Sequence, residues 1–131
     1  MKSSYVKNED GLLTYTYTPD KHDSWSADYL LGKLISSVLT QYKNDPEAGG
    51  WRTDIKDVPE HLLDAWKVAR GGDSSADWTY CDEVCFWIID EILFAFDTEK
   101  WDSILACDRE EKERQKRGRM LFAKYFHAFW T

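Results

Sequence analysis

Three carboxylates and a run of cations are the residues of this chain with the widest chemical reach. Glu83, Asp90 and Glu91 fall near one another at helical spacing, with Asp82 beside them. Such a group can move protons or hold a divalent metal, provided histidines or further acids meet it from another element. The only histidines, His22, His61 and His127, show no recognisable spacing. A solvated acidic stripe is therefore the main expectation and a metal-dependent hydrolase the lesser one. The cations are Arg109, Lys112, Arg114, Lys116, Arg117 and Arg119. Guanidinium forks suit phosphate and aromatic rings stack on bases, so these six are the candidate binding set for a small anionic, nucleotide-type ligand. Glu110, Glu111 and Glu113 run among them, and a charged solvated face is the competing expectation.

Two further groups carry weaker signals. The segment His22, Asp23, Ser24, Trp25, Ser26, Ala27, Asp28 sets an acid, an indole and a hydroxyl in the first turn of a helix. Asp23, Ser24 or Ser26 can cap that helix, while His22, Asp23, Trp25, Ser26 and Asp28 can instead line a ligand pocket. Cys81 and Cys85 lie four apart, and Cys107 with His61 or His127 would be needed to complete a zinc site. Cys85 sits in an apolar run, where a free cysteine acts as a small hydrophobe, so no metal and no cofactor is expected. A nucleophile elbow, a phosphate loop, a dinucleotide glycine pattern and the zinc-protease helix motif are absent, and a non-catalytic protein is the expectation.

The elements that would hold these groups are mainly helical. At 131 residues the chain fits one domain, residues 1–131, able to bury about two-thirds of its unfolded surface. Leu13, Tyr15 and Tyr17 alternate with threonines up to Pro19, which predicts a short N-terminal strand. Lys2 to Val6 is a weak hairpin mate for it, and pairing with a second copy is the alternative. A first helix runs from Asp23 or Ser24 to about Tyr42, and a second from about Val58 to Arg70, with Asp57 as cap and Gly71 as stop. The third, Trp78 to Phe96, is apolar around nearly its whole circumference and so must be covered from several sides. A last helical region starts at Asp97 and reaches Trp130, with residues 108–119 either a solvated helix or a loop broken at Gly118. The fold class is thus a compact bundle of about four helices around a central apolar helix, with a short N-terminal strand or hairpin.

Charge and composition narrow the partners. The net charge of −7 disfavours a duplex nucleic acid, which requires a basic face. No apolar run is long enough to span a bilayer. Three cysteines and no apolar N-terminal run fit a reduced intracellular compartment. The aromatic share of 15% exceeds what one small core can hide, which predicts a homo-oligomer or another aromatic interface.

Three stretches, His22–Asp28, Asp57–Leu62 and Trp87–Phe96 with Met120–Trp130, carry a Trp-Ser-x-Asp helix start, a Val-Pro-Glu turn and a terminal Leu-Phe-x-x-Tyr-Phe-x-x-x-Trp. Together they resemble a family of small tailed-bacteriophage proteins across most of the chain from His22 onward. The resemblance implies a product that acts in the host cytoplasm by binding. Two forms of that action are expected: sequestration of a nucleotide-type signal used in antiviral defence, or an interaction module that inhibits or recruits a host or phage protein.

Overall fold

The computed structural model describes residues 2–7, 9, 11, 13–18, 27–72, 75–101 and 108–130. Its described residues form β1 (Lys2–Lys7), β2 (Leu13–Thr18), α1 (Ala27–Asn44), β3 (Arg52–Asp54), α2 (Leu63–Arg70), β4 (Trp78–Tyr80), α3 (Asp82–Ala95) and α4 (Arg109–Tyr125), with short 3-10 turns between and after them. The architecture is mainly α, as expected. Strand β1 pairs antiparallel with β2, from Lys2 opposite Thr18 to Lys7 opposite Leu13. The polar N-terminal segment is therefore the mate of the alternating strand, and the pairing is completed within one chain.

Helix α3 occupies the centre because its sequence leaves it no polar face wide enough for solvent. Val84, Ile88, Ile89, Ile92 and Ala95 have at most 1% exposure, and each fully buried aliphatic side chain contributes about 1.5–3 kcal/mol. Its one wet edge is formed by Asp82, Glu83, Phe86 and Asp90. The helix is shorter than its apolar run predicts. Trp78, Thr79 and Tyr80 pair with Asp54, Thr53 and Arg52 as a two-stranded ribbon instead of beginning the helix. β-branched and aromatic residues favour that extended state. Thr53 also draws the ribbon inward, donating to the Thr79 carbonyl at 3.1 Å and accepting from the Trp66 indole at 3.1 Å.

The second helix also starts later than its capping signal suggests. Asp57 is used elsewhere, as described below, and Pro59 opens a 3-10 turn, Glu60–Leu62, that leads into α2. The stop at Gly71 is as expected, with φ +72, a conformation that glycine takes without Cβ strain. The predicted helical region from Asp97 is interrupted. Asp97 caps the 3-10 turn Thr98–Lys100, and α4 has its own start, where the Asp108 carboxylate accepts from the amides of Glu110 and Glu111. The charged middle of this region is helix, with Gly118 inside it.

Gly118 does not break the helix because it is the point where α4 meets α3. A Cβ there would stand 2.2 Å from the Glu91 carbonyl oxygen and 2.6 Å from the Ala95 Cβ. No side chain can enter that gap without pushing two backbones apart. Gly118→Ala is therefore expected to destabilise by about 1–3 kcal/mol in urea unfolding, even though alanine favours an isolated helix by about 1 kcal/mol. A neutral or stabilising result would show that α4 does not sit this close.

Candidate functional site

The six candidate cations are divided by the face of α4 they occupy. Arg114 and Arg117 face α3, where both bind the Glu91 carboxylate: Arg114 donates from Nε to Oε1 at 3.0 Å, and Arg117 donates to Oε2 from Nε at 3.1 Å and Nη2 at 2.8 Å. Glu91 is 4% exposed, so this member of the expected acidic stripe is an inward-facing charge. The guanidiniums also cover rings, Arg114 over Phe94 at 4.1 Å and Arg117 over Trp87 at 5.6 Å. These two ring faces are occupied by the protein's own cations. Arg109, Lys112, Lys116 and Arg119 are exposed on the opposite side. Arg119 reaches Gln115 at 3.4 Å, and no ion pair engages any of the four among the described residues.

A second polar network joins α4 to the ribbon. Lys124 Nζ lies 2.8 Å from Asp54 Oδ2 and 2.7 Å from Asp57 Oδ2. The Tyr125 hydroxyl donates to Asp57 Oδ2 at 2.6 Å and accepts from the Asp54 amide at 3.0 Å. That is why Asp57 does not cap α2. Burial drives the Tyr125 hydroxyl far above the ordinary phenol range, and the Asp57 hydrogen bond adds to the shift. Tyr125 is therefore a fixed donor. Beside the network is a cavity of about 540 Å³ lined by Asp57, Glu113, Lys116, Arg117, Met120, Leu121 and Lys124. Its volume is in the range of small-ligand sites. Arg117 is already shared with Glu91, and Lys124 with Asp54 and Asp57. Among the described residues, Lys116 is the cavity's one cation without a carboxylate partner.

The third feature is apolar. Leu34, Ile35, Val38 and Leu39 of α1 face Phe122 of α4 and Phe126 and Phe129 of the closing 3-10 turn across a groove of about 370 Å³. The floor is built: Phe122 meets Phe126 edge-on at 5.5 Å and stacks with Phe129 at 6.5 Å. The flanks stay wet, with Val38 at 57% and Phe126 at 44% exposure, and Leu31 one turn along at 56%. The sequence puts the apolar residues of α1 on one broad face. The available signal was its width, since seven large residues from Leu30 to Tyr42 exceed the stripe one neighbouring helix can cover.

Of the other candidates, Asp28 is exposed in the first turn of α1, while His22, Asp23, Trp25, Ser26 and Cys107 lie outside the described residues. Glu83 and Asp90 are exposed, and Asp90 pairs with Lys43. The three acids are thus not assembled into one site. Cys81 and Cys85 are buried free thiols. Burial, the largest effect, pushes the Cys85 thiol up to about 11, the reverse of what a nucleophile or metal ligand needs. Among the described residues no group of three or more His, Cys, Asp or Glu could hold a metal ion, and no helix is long and apolar enough to cross a membrane. Comparison with protein families, with curated proteins and with solved structures gives no match.

Two predictions test this division. Glu91→Ala removes the buried carboxylate and its charge-assisted hydrogen bonds but leaves two guanidiniums that are nearly half exposed and open to water, so it is expected to cost about 1–3 kcal/mol, against about 0.5 kcal/mol or less for Lys112→Ala, both by urea unfolding. Equal, small effects would mean that the clasp is not formed.

The other concerns pH. Burial raises the Asp54 carboxyl, but hydrogen bonds from Lys124 and the Lys56 amide, with the charges of both lysines, outweigh it and hold it below the ordinary range. Its stabilisation is complete above the unfolded carboxyl's pKa of about 4 and is lost as pH falls through the lower folded value. Burial lowers the Lys124 ammonium, while its bonds to Asp54 and Asp57 raise it further. That part is complete below the ordinary lysine range and is lost as pH rises through the raised value. Lys124→Met should flatten the stability profile at both ends, and an unchanged acid limb would rule the pairing out.

Proposed function

We propose that this is a non-catalytic binding protein of a tailed bacteriophage, which occupies a protein of the infected host by seating an apolar segment of it in the groove between α1 and the C-terminal aromatic residues. The groove carries the reading: it is lined by apolar side chains alone, and its flanks are exposed where a monomer ordinarily covers such residues. Aromatic and aliphatic anchors around a preformed cleft suit the capture of a peptide or helix. The resemblance to small phage proteins supplies the setting. Capture of a small anion ranks second, because the 540 Å³ cavity has Lys116 as its one uncommitted cation and Arg114 and Arg117 hold Glu91.

The test uses tagged full-length protein expressed in a bacterial host, beside the double variant Val38→Asp/Phe126→Ser. The wild type is expected to retain one partner chain at a stoichiometric level. The variant should lose it while melting within about 2 °C of wild type, since both positions are half-exposed. Retention of the same partner by the variant overturns the reading. So does heat from a linear or cyclic nucleotide in calorimetry that Lys116→Ala removes, an outcome that moves the function to anion capture.

A further inference from the structure

Strand β2 spends one of its two edges on β1, and among the described residues no third strand takes the other. That open edge lacks the features that keep such edges single. Residues 13–18, Leu-Thr-Tyr-Thr-Tyr-Thr, contain no charge, no proline and no glycine, so neither repulsion nor a missing amide opposes a further strand. The hairpin is also short of support: among the described residues no helix packs broadly on either strand, and two strands alone are marginal in water.

The order of residues within β2 points to what the further strand is. Thr14, Tyr15, Thr16, Tyr17 and Thr18 read the same in both directions. We propose that β2 pairs antiparallel with β2 of a second copy of this chain, about a two-fold axis at Thr16, to give a four-stranded sheet of order β1-β2-β2-β1. In this register Thr14 stands opposite Thr18, Tyr15 opposite Tyr17, and Thr16 opposite its own equivalent, so the contact is self-complementary as a two-fold interface requires. Aromatic pairs and threonine pairs are among those that stabilise neighbouring strands. Within one copy Tyr5 stands opposite Tyr15 and Ser3 opposite Tyr17, so the alternation of the strands carries Tyr5, Tyr15 and Tyr17 of both copies onto one face of the four strands. A slip of one residue opposes threonine to tyrosine and divides that row between the faces. The outer edge of β1 offers no equivalent: in full antiparallel register it sets Lys2 against Lys7 at both ends. The pairing is independent of the groove reading, since the groove is built by α1, α4 and the closing turn.

The experiment uses full-length protein and substitutions at Thr16, which is exposed and tolerates a charge in the monomer. Sedimentation of the wild type at tens of micromolar and low salt is expected to show a dimer. Thr16→Lys and Thr16→Glu each set like charges together at the axis, and each should weaken dimerisation by about tenfold or more, whereas an equimolar mixture of the two should recover it. Thr16→Cys should form a disulfide-linked dimer on mild oxidation, because directly opposed Cα atoms lie about 4.5–5.5 Å apart. Thr14→Cys should not exceed the wild-type background, since its equivalent lies about 14 Å along the partner strand. A wild type that stays monomeric overturns the proposal. A dimer indifferent to both charges, two charge variants that stay apart when mixed, or equal cross-linking at positions 14 and 16 overturns it as well.

Discussion

The arrangement of the molecule depends on one contact, the approach of α4 to α3 at Gly118 beside the buried Glu91 carboxylate. The missing side chain lets the two helices touch through their backbones. That proximity brings Arg114, one turn before the contact, and Arg117, next to it, within reach of Glu91. Depth and rotation of α4 are fixed together. Phe122 and the closing turn then face α1, and Lys124 and Tyr125 fall on Asp54 and Asp57. A buried ion pair adds little net stability over an apolar replacement. Its role here is geometric, since a carboxylate bound by two forks tolerates neither a slip nor a turn of the helix.

The same contact explains how an acidic chain keeps a basic surface. A helix with charges all round is marginal in water and forms in proteins when one side is packed. In α4 Gly118, Leu121 and Tyr125 form the packed side, two of the arginines bind Glu91 beside it, and the remaining cations are left outward by the helical repeat. Charge on this segment is thus structural on one face and available on the other. Treating the six cations as one patch would conceal both roles. Replacing them together would confound folding with binding.

The helical class and the centrality of α3 were readable from periodicity, because a segment apolar on every side has few places to go. Element boundaries were less so wherever a residue had two uses. Trp78–Tyr80 fits a helix by apolar content and a strand by side-chain shape, and the choice was made by Thr53, a residue distant in sequence. Asp57 is well placed to cap α2, but Tyr125 and Lys124 claim its carboxylate from the other end of the chain. Glu91 has the spacing of a wet stripe, and its burial follows from Gly118 across the interface. In each case local sequence allowed two states, and a partner about 25 to 70 positions away selected one. The groove had a weaker trace, in the excess width of the apolar face of α1.

The tertiary bonds that close this fold span long loops: Thr53 to Thr79, Ser36 to the Phe96 carbonyl, and Asp54 to Lys124, 26, 60 and 70 positions apart respectively. Chain closure of that kind must precede the contacts that reward it, so folding speed follows sequence separation rather than helix content. For this mainly helical chain the consequence is kinetic. The helices can flicker into being early, but α4 has no docked position until Asp54 and Asp57 are presented by the ribbon, and the ribbon forms only when β4 returns across α2. The folding rate should therefore lie nearer to that of mixed α/β domains than to that of simple helical bundles. Phe126 and Phe129 of the closing turn would be the last apolar side chains to pack.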